Sequence, residues 1–133
     1  MEEMTGGDSR RSLMHPKSIK FRASLSGDVK CRVASYNVGT LRGRDNEVVE
    51  TLTRRKVDLC SLQEIRMKGT LERNQVRWIK GKDTRMRLYW CGNREGKGGV
   101  GILLAEKWVE KVFEVQRISD RILLLKLLLG KQV

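Results

Sequence analysis

The sequence predicts an α/β fold with one mixed β-sheet of about six strands. A strand-like, a helix-like and a second strand-like segment follow one another between Lys30 and Gln63, which is the order of a βαβ unit with parallel strands. After Arg85, strand-like segments alternate with short turns, which is typical of antiparallel hairpins. A chain of 133 residues fits one domain or part of one.

The first βαβ unit can be read in three segments. Cys31–Asn37 is β-branched and aromatic and stops at a turn-rich stretch, so it predicts a strand. A helix is expected over about Glu47–Lys56, with Asp45 or Asn46 as its cap. Its predicted buried stripe is Val48, Val49 and Leu52. Val57–Gln63 is almost continuously apolar, as in a central strand that is covered on both faces.

The second half predicts further strands. Residues 69–81 are ambiguous, and Thr70 is a possible cap for a short helix carrying Leu71, Val76, Trp78 and Ile79. Arg85–Gly92 and Val100–Ala105 flank a glycine-rich turn and predict a hairpin. The segment from Trp108 to Ile118 alternates as a strand does, and residues 121–130 fit either a last strand or a short helix. The three tryptophans are expected at core or sheet-edge positions rather than as base-stacking platforms.

Residues 1–29 predict a flexible basic and polar tail, and residues 30–133 the folded part. The tail has no clear period and contains the single proline, Pro16, and the single histidine, His15. No secretory signal is recognisable, and the longest apolar run is interrupted by Lys126, so no membrane partner is expected. Cys31, Cys60 and Cys91 are expected to be buried free thiols in a reducing compartment, nuclear or cytoplasmic.

The net charge of +12 narrows the class of partner. Most of this excess lies after residue 30, in the part expected to fold. A positive field of this size favours polyanions, of which nucleic acid is the commonest. A merely solubilising surface explains the charge equally well at this point.

The two parallel strands end at polar residues that should meet at one edge of the sheet, here called the rim. Asn37 ends the first strand and Glu64 follows the second, and ligand sites in such sheets lie at this edge. A glutamate there can bind Mg²⁺ through oxygen, whereas the alternative is a rim salt bridge from Glu64 to Arg66 or Lys68. Cations on the same loops could bind phosphate oxygens: Arg42, Arg44, Arg66 and Lys68.

These motifs resemble a known superfamily. The stretches "ASYNVGTL", "LCSLQEIR", "GKGGVGILL" and "DRILLLKL" are similar to the endonuclease/exonuclease/phosphatase superfamily. Within it they look most like the endonuclease domains of non-long-terminal-repeat retrotransposons and craniofacial development protein 2-like sequences. The resemblance runs from about Cys31 to Val133.

The resemblance implies a metal-dependent phosphodiesterase with a four-layer α/β sandwich, of which this chain would form the N-terminal half. Glu64 matches the family's Mg²⁺ (or Mn²⁺) ligand, and Asn37 matches its active-site asparagine. Arg66 matches a usually basic position that faces DNA. An aspartate found near the metal in the abasic-site endonucleases is replaced by Gly39.

The sequence lacks the motifs of the family's second half: Tyr-x-Pro, Asp-x-Asn and the terminal Ser-Asp-His. The resemblance therefore implies a truncated domain that is inactive alone. A non-catalytic basic nucleic-acid-binding remnant of a mobile-element protein is the alternative. A half sandwich should also leave a sheet face uncovered at Ile102, Leu104, Leu123, Leu125 and Leu127, which invites self-association.

Overall fold

The computed structural model describes residues 17–23, 29–69 and 75–128, with the side chains of residues 17–23 and 29 outside the description. Its elements are β1 (Lys17–Ala23), β2 (Val29–Asn37), α1 (Asp45–Arg54), β3 (Leu59–Gln63), β4 (Val76–Lys80), β5 (Arg85–Cys91), β6 (Val100–Ala105), α2 (Glu106–Val109), β7 (Val112–Ser119) and β8 (Ile122–Leu127).

The predicted α/β fold is confirmed. A six-stranded mixed sheet has the order β1-β2-β3-β6-β5-β4. β2 and β3 are parallel, in register from Val33 opposite Leu59 to Asn37 opposite Gln63, and α1 connects them as the βαβ pattern predicts. β5 and β6 pair antiparallel, as the glycine-rich turn indicates.

The two faces of this sheet are covered by different elements. α1 packs on one face through Val48, Val49 and Leu52, which are at most 1% exposed. On the other face, β7 and β8 form a separate two-stranded sheet. Apolar side chains of this hairpin pack against the fully buried Leu104 and against Trp108: Val112, Val115, Leu123, Leu125 and Leu127. These residues form the second core, and the hydrophobic effect of burying them holds the hairpin against the six-stranded sheet, here called the main sheet.

The predicted uncovered face is therefore wrong. Leu104 is 0% exposed, Ile102 is half-buried, and Leu123, Leu125 and Leu127 pack in the second core. The prediction of a single mixed sheet is also wrong for β7 and β8, which form a separate sheet. The segment that begins at Trp108 was predicted as one strand, but α2 interrupts it, with Trp108 buried in the second core. This short helix takes the chain from β6 onto the opposite face of the sheet, where β7 begins.

Three further predictions need correction. The tail prediction does not hold for Lys17–Ala23, which pairs antiparallel with β2. Polar and apolar residues alternate along that stretch of sequence, which is the period of a strand. Val76 to Ile79 lie on a strand and not on a helix, while residues 70–74 lie outside the description. The helix N-cap is Arg44, without a side-chain cap hydrogen bond, rather than Asp45 or Asn46.

The outer side of the β7–β8 hairpin exposes large apolar side chains. These are Phe113, Ile118, Ile122, Leu124 and Leu128, between 39% and 62% exposed. The same hairpin has an ion pair between Lys126 and Glu114 at 3.0 Å, so a neutral apolar surface lies on a chain of net charge +12. Charge repulsion between two copies of the chain is weakest at this surface. We therefore expect self-association here rather than at the sheet face that the sequence indicated.

Replacing Ile118 and Leu124 together by lysine is expected to raise the concentration at which the chain associates. Both side chains point away from the second core, so the substitutions add charge repulsion without opening a cavity. Sedimentation velocity over a concentration series measures this change. Equal association of the unaltered chain and the double variant would contradict it.

The three thiols are buried and unpaired, as predicted. Burial raises the pKa of the Cys60 thiol to about 12 and that of Cys31 to about 11, with Asp58 adding to the effect at Cys31. Such thiols are almost entirely protonated at neutral pH and are poor nucleophiles. Within the described residues, the helices are too short and too polar to cross a membrane.

Candidate nucleic-acid interface

The parallel pairing of β2 and β3 brings the two predicted site residues to one edge. Asn37 is the last residue of β2, exposed and in register with Gln63. The next backbone amide, that of Val38, donates to the Gln63 carbonyl oxygen at 3.0 Å. Glu64 directly follows Gln63 in the chain. The rim therefore contains Asn37 and Glu64 on neighbouring chain segments, as the βαβ unit predicts.

The segment after β3 has an unusual backbone. Glu64 and Arg66 have φ values of 61° and 57°, in the left-handed region that L-residues avoid. Between them Ile65 is fully buried. The Glu64 amide donates to Gly99 O at 2.9 Å and the Arg66 amide to Gly98 O at 2.7 Å. This conformation directs Ile65 into the core and leaves Glu64 and Arg66 at the surface.

The glycines of the "GGVGILL" stretch create the space that Ile65 occupies. A Cβ at Gly99 would lie 3.1 Å from Ile65 Cγ1 and 3.2 Å from Cys91 O, and one at Gly101 would crowd Leu88 Cδ1 at 3.1 Å. Gly99 also has a φ of 91°, which favours glycine. The glycine-rich motif therefore has a local role, because it seats Ile65 and thereby sets the position of Glu64.

The Glu64 side chain is paired with Arg66, which was one of the two alternatives that the sequence left open. Arg66 donates through Nη2 to Glu64 Oε1 at 3.4 Å, and the two side chains are 55% and 42% exposed. An exposed pair of this length contributes little to stability. Its consequence is chemical: the carboxylate and the guanidinium partly neutralise each other at the rim.

Glu64 does not have the neighbours of a complete Mg²⁺ site. Mg²⁺ prefers octahedral oxygen coordination and usually takes one or two carboxylates together with substrate phosphates. In the described part of the chain, no three His, Cys, Asp or Glu side chains cluster as metal ligands. Glu64 offers one carboxylate, and that carboxylate already accepts a bond from Arg66. The donor set does not fit a resident metal.

Beside the rim lies an open groove of ≈400 Å³. Its lining consists of Leu41, Arg42, Gly43, Asp45, Met67, Lys68 and Arg77. Arg42 and Lys68 are both exposed, whereas Arg77 is paired with Asp45 at 2.9 Å. Three cations against one carboxylate make the groove a net positive surface. Arg42 and Lys68, predicted from different loops, are thus brought together.

Arg44, the fourth predicted phosphate ligand, has a different role in this structure. Its Nη1 donates to Val38 O at 3.0 Å and its Nη2 to the Tyr36 hydroxyl at 3.4 Å. The side chain is half-buried and supports the loop between β2 and α1. Two of the guanidinium nitrogens of Arg44 are thus bonded within the fold.

Two features of the site were not predicted from the sequence. Arg77 lies on β4, in a segment interpreted as a helix, although its alternating "VRWIK" pattern also fits a strand. The second feature is the anchor of the 92–99 loop. Asn93 donates to Lys97 O at 2.9 Å and to Asp120 Oδ2 at 3.2 Å. The β7–β8 turn thus supports the loop whose carbonyls bind Glu64 and Arg66, a contact between distant parts of the sequence.

Replacing Glu64 by glycine is expected to give a more stable protein than replacing it by alanine, by about 1 kcal/mol. Alanine keeps the steric cost of a positive φ, about 1–2 kcal/mol, whereas glycine removes it at an entropic cost of about 0.4–1 kcal/mol. Urea unfolding of the two variants measures the difference. An alanine variant as stable as the glycine variant would mean that the backbone at Glu64 is not strained.

No protein-family profile, curated protein or solved structure matches this chain.

Proposed function

We propose that the chain is an endonuclease/exonuclease/phosphatase-type domain that binds DNA through the rim groove without efficient hydrolysis of its own. The observation that carries the proposal is the meeting of Asn37 and Glu64 at the ends of two parallel strands, beside the groove containing Arg42 and Lys68. Polar residues at such strand ends are typical of ligand sites in α/β sheets. The order of the sequence motifs agrees with this arrangement.

Each rim side chain has a defined part in the proposed contact. Arg42 and Lys68 bind backbone phosphates, since both are exposed and line one positive groove. Arg66 offers a planar guanidinium that can bond two phosphate oxygens at once. Asn37 can donate its amide hydrogens to a phosphate oxygen. These contacts read the backbone and not the bases, so the proposed binding is independent of DNA sequence.

Efficient phosphodiester cleavage needs an oriented water, a group to accept its proton and a stabiliser of the developing charge. The described rim supplies Glu64 and Asn37, and the only histidine of the chain is His15. We therefore propose weak Mg²⁺ (or Mn²⁺) association through Glu64 at most. Supercoiled plasmid incubated with Mg²⁺ should not be nicked above the background of a Glu64→Ala preparation. Nicking that disappears in Glu64→Ala would make the chain an active nuclease.

The effect of Glu64→Gln on DNA binding distinguishes two cases. In one, DNA binds the rim cations without a metal; in the other, Mg²⁺ bridges Glu64 to a phosphate. The substitution removes a negative charge and weakens the bond to Arg66, so duplex affinity without divalent cation should rise about two- to fivefold. Glutamine has nearly the same shape as glutamate, so packing is conserved. The measurement is fluorescence anisotropy of a labelled 20-base-pair duplex, with EDTA or with Mg²⁺.

If Mg²⁺ bridges Glu64 to a phosphate, the same substitution lowers the affinity in Mg²⁺ while raising it in EDTA. A rise under both conditions supports the non-catalytic binding alternative. Unchanged affinity under both conditions would place the DNA contact away from Glu64. The buried, unpaired thiols are consistent with an intracellular compartment, nuclear or cytoplasmic, which we propose on that basis.

A further inference from the structure

A second cluster of cations lies at a lateral edge of the six-stranded sheet, on the outermost strand β4 and its neighbour β5. β4 is the edge strand, with Lys80 directly opposite Arg85 and Trp78 directly opposite Arg87. Because side chains alternate along a strand, these four project to the same face of the sheet. This is the face on which Tyr89 and Val76 contact the second core. The four residues are called the edge patch.

The guanidinium groups of the edge patch rest on aromatic rings. Arg85 Cζ lies 3.7 Å from the centroid of the Trp78 ring. Arg87 Cζ lies 5.1 Å from the same ring and 6.0 Å from that of Tyr89. Cation–π contacts of this kind restrict the orientation of an arginine while leaving its N–H groups able to bind an anion. Arg85 uses Nη2 to bond Glu106 at 3.0 Å, and its side chain is still 42% exposed.

Two features of this arrangement oppose the stability of the isolated protein. Like charges directly opposite one another on paired strands repel, and Lys80 and Arg85 occupy such positions. Arg87 follows on the same face two residues further along. Its Nε is buried and has no hydrogen-bond partner among the described residues, which adds a desolvation cost. A local arrangement that lowers stability in this way is expected at functional sites.

The edge patch is separate from the rim. Arg87 is in register with Leu104, and Leu104 with Leu59, which lies four residues before Gln63 at the rim end of β3. At roughly 3.3 Å per residue, the patch is about 13 Å from the rim along the strands. The groove reaches β4 at Arg77, but Arg77 pairs with Asp45 of α1 and so projects to the opposite face of β4 from Trp78 and Lys80.

We propose that Arg85 and Arg87, oriented by Trp78, form together with Lys80 a second phosphate-binding patch that contacts the sugar-phosphate backbone of nucleic acid outside the rim groove. This inference rests on the proposed nucleic-acid partner. Planar guanidinium groups that lie against the Trp78 ring suit phosphate oxygens, which accept two parallel N–H bonds from one arginine. Lys80 and Arg85 lie side by side on the paired strands, and Arg87 follows two residues along β5. Several cations in sequence suit a chain of phosphates better than a single anion.

The test is the Arg85→Gln/Arg87→Gln variant of the full chain, titrated with a fluorescein-labelled 20-base-pair duplex at several salt concentrations. We expect duplex affinity to fall about tenfold or more at 0.1 M salt, and the slope of log K against log salt to become shallower by about 2. The matched control is Lys30→Gln/Lys111→Gln, which removes two exposed charges at other positions. Binding by the patch variant equal to that of this control would overturn the proposal.

A lysine pair at the same two positions distinguishes the planar guanidinium groups from their charge. Arg85→Lys/Arg87→Lys keeps the charge but loses the stacked, planar groups, so it should bind more weakly than the unaltered chain with nearly unchanged slope. This variant also serves if the glutamine pair melts below the assay temperature. If the cations only protect the edge strand against pairing, the glutamine variant will aggregate while its soluble fraction keeps full affinity, which contradicts the proposal.

The same titration separates this inference from the proposed function. Arg42→Gln/Lys68→Gln removes the rim groove cations and leaves the edge patch intact. If only the rim variant loses affinity, the edge patch is refuted and the rim proposal stands. If only the patch variant loses affinity, the rim proposal fails and the edge patch stands. An unaltered chain that does not bind duplex DNA at 0.1 M salt would refute both.

Discussion

Gly92→Ala is expected to lower the free energy of unfolding by about 2–3 kcal/mol. A Cβ at this position would overlap the backbone carbonyl oxygen of Met67 and lie 3.2 Å from the Gly69 amide nitrogen. Backbone atoms cannot rotate away as the end of a flexible side chain can. The whole 64–69 segment must therefore move, including Lys68, which forms a β-bridge with Asn93.

Gly39→Ala is the matched control for this prediction. Gly39 has a φ of 80° and open space around its Cβ position, so alanine costs only the backbone term, about 1–2 kcal/mol. Urea unfolding gives both values, and duplex binding by Gly92→Ala should fall as Lys68 is displaced. A Gly92→Ala protein as stable as the unaltered chain would show that the 64–69 and 92–99 segments are not in contact.

Replacing Arg42, Arg66 and Lys68 together by glutamine is expected to weaken duplex binding about 100-fold or more at 0.1 M salt. Log K falls by about 0.9 per phosphate contact for each tenfold rise in salt. One contact therefore raises the affinity at 0.1 M salt almost tenfold relative to about 1 M salt, and three contacts raise it by more than about 100-fold. The loss of Arg66 also leaves the Glu64 carboxylate without its partner. That unpaired charge repels phosphate and adds to the effect.

The control for the triple variant removes the same charge from three exposed positions outside the rim: Lys30, Arg54 and Lys111. Because surface charges far from a bound polyanion are screened within about 10 Å at 0.1 M salt, this control should lose less than tenfold. Fluorescence anisotropy measures both affinities. Equal losses in the two proteins would mean that net charge alone determines binding, with no preferred surface.

Local pattern predicted the part of the fold that forms from neighbouring segments. The β2–α1–β3 unit follows from strand and helix periods and from the fixed way in which such a unit closes, so Asn37 and Glu64 could be assigned to one edge. The hairpin of β5 and β6 follows from its glycine-rich turn. Both depend on interactions between segments that are close in sequence.

Contacts between distant segments could not be predicted in the same way. The β7–β8 hairpin alternates like any strand pair, and only its packing on Leu104 and Trp108 determines that it forms a second sheet. The apolar residues of β4 are Val76, Trp78 and Ile79, and over so short a segment this pattern fits a helix or a strand. The pairing of β4 with β5 resolves this ambiguity.

The details of the site depended on backbone geometry that residue types do not encode. The positive φ values of Glu64 and Arg66 accompany hydrogen bonds from the Glu64 amide to Gly99 O and from the Arg66 amide to Gly98 O, more than thirty residues later in the chain. Arg44 looked equivalent to Arg42 because both are cations on one loop. The Val38 carbonyl and the Tyr36 hydroxyl determine that Arg44 lies inward, which sequence spacing alone does not reveal.

The salt dependence of duplex DNA binding tests the central claim most directly, namely that the rim groove is a phosphate-binding surface. For the unaltered chain, log K should fall with log salt with a slope of about −3 from the three rim cations alone, and of about −5 if the three cations of the edge patch also bind phosphates. The Arg42/Arg66/Lys68→Gln variant should have a slope shallower by about 2 to 3. A slope near zero for the unaltered chain, or the same slope for both proteins, would contradict the claim.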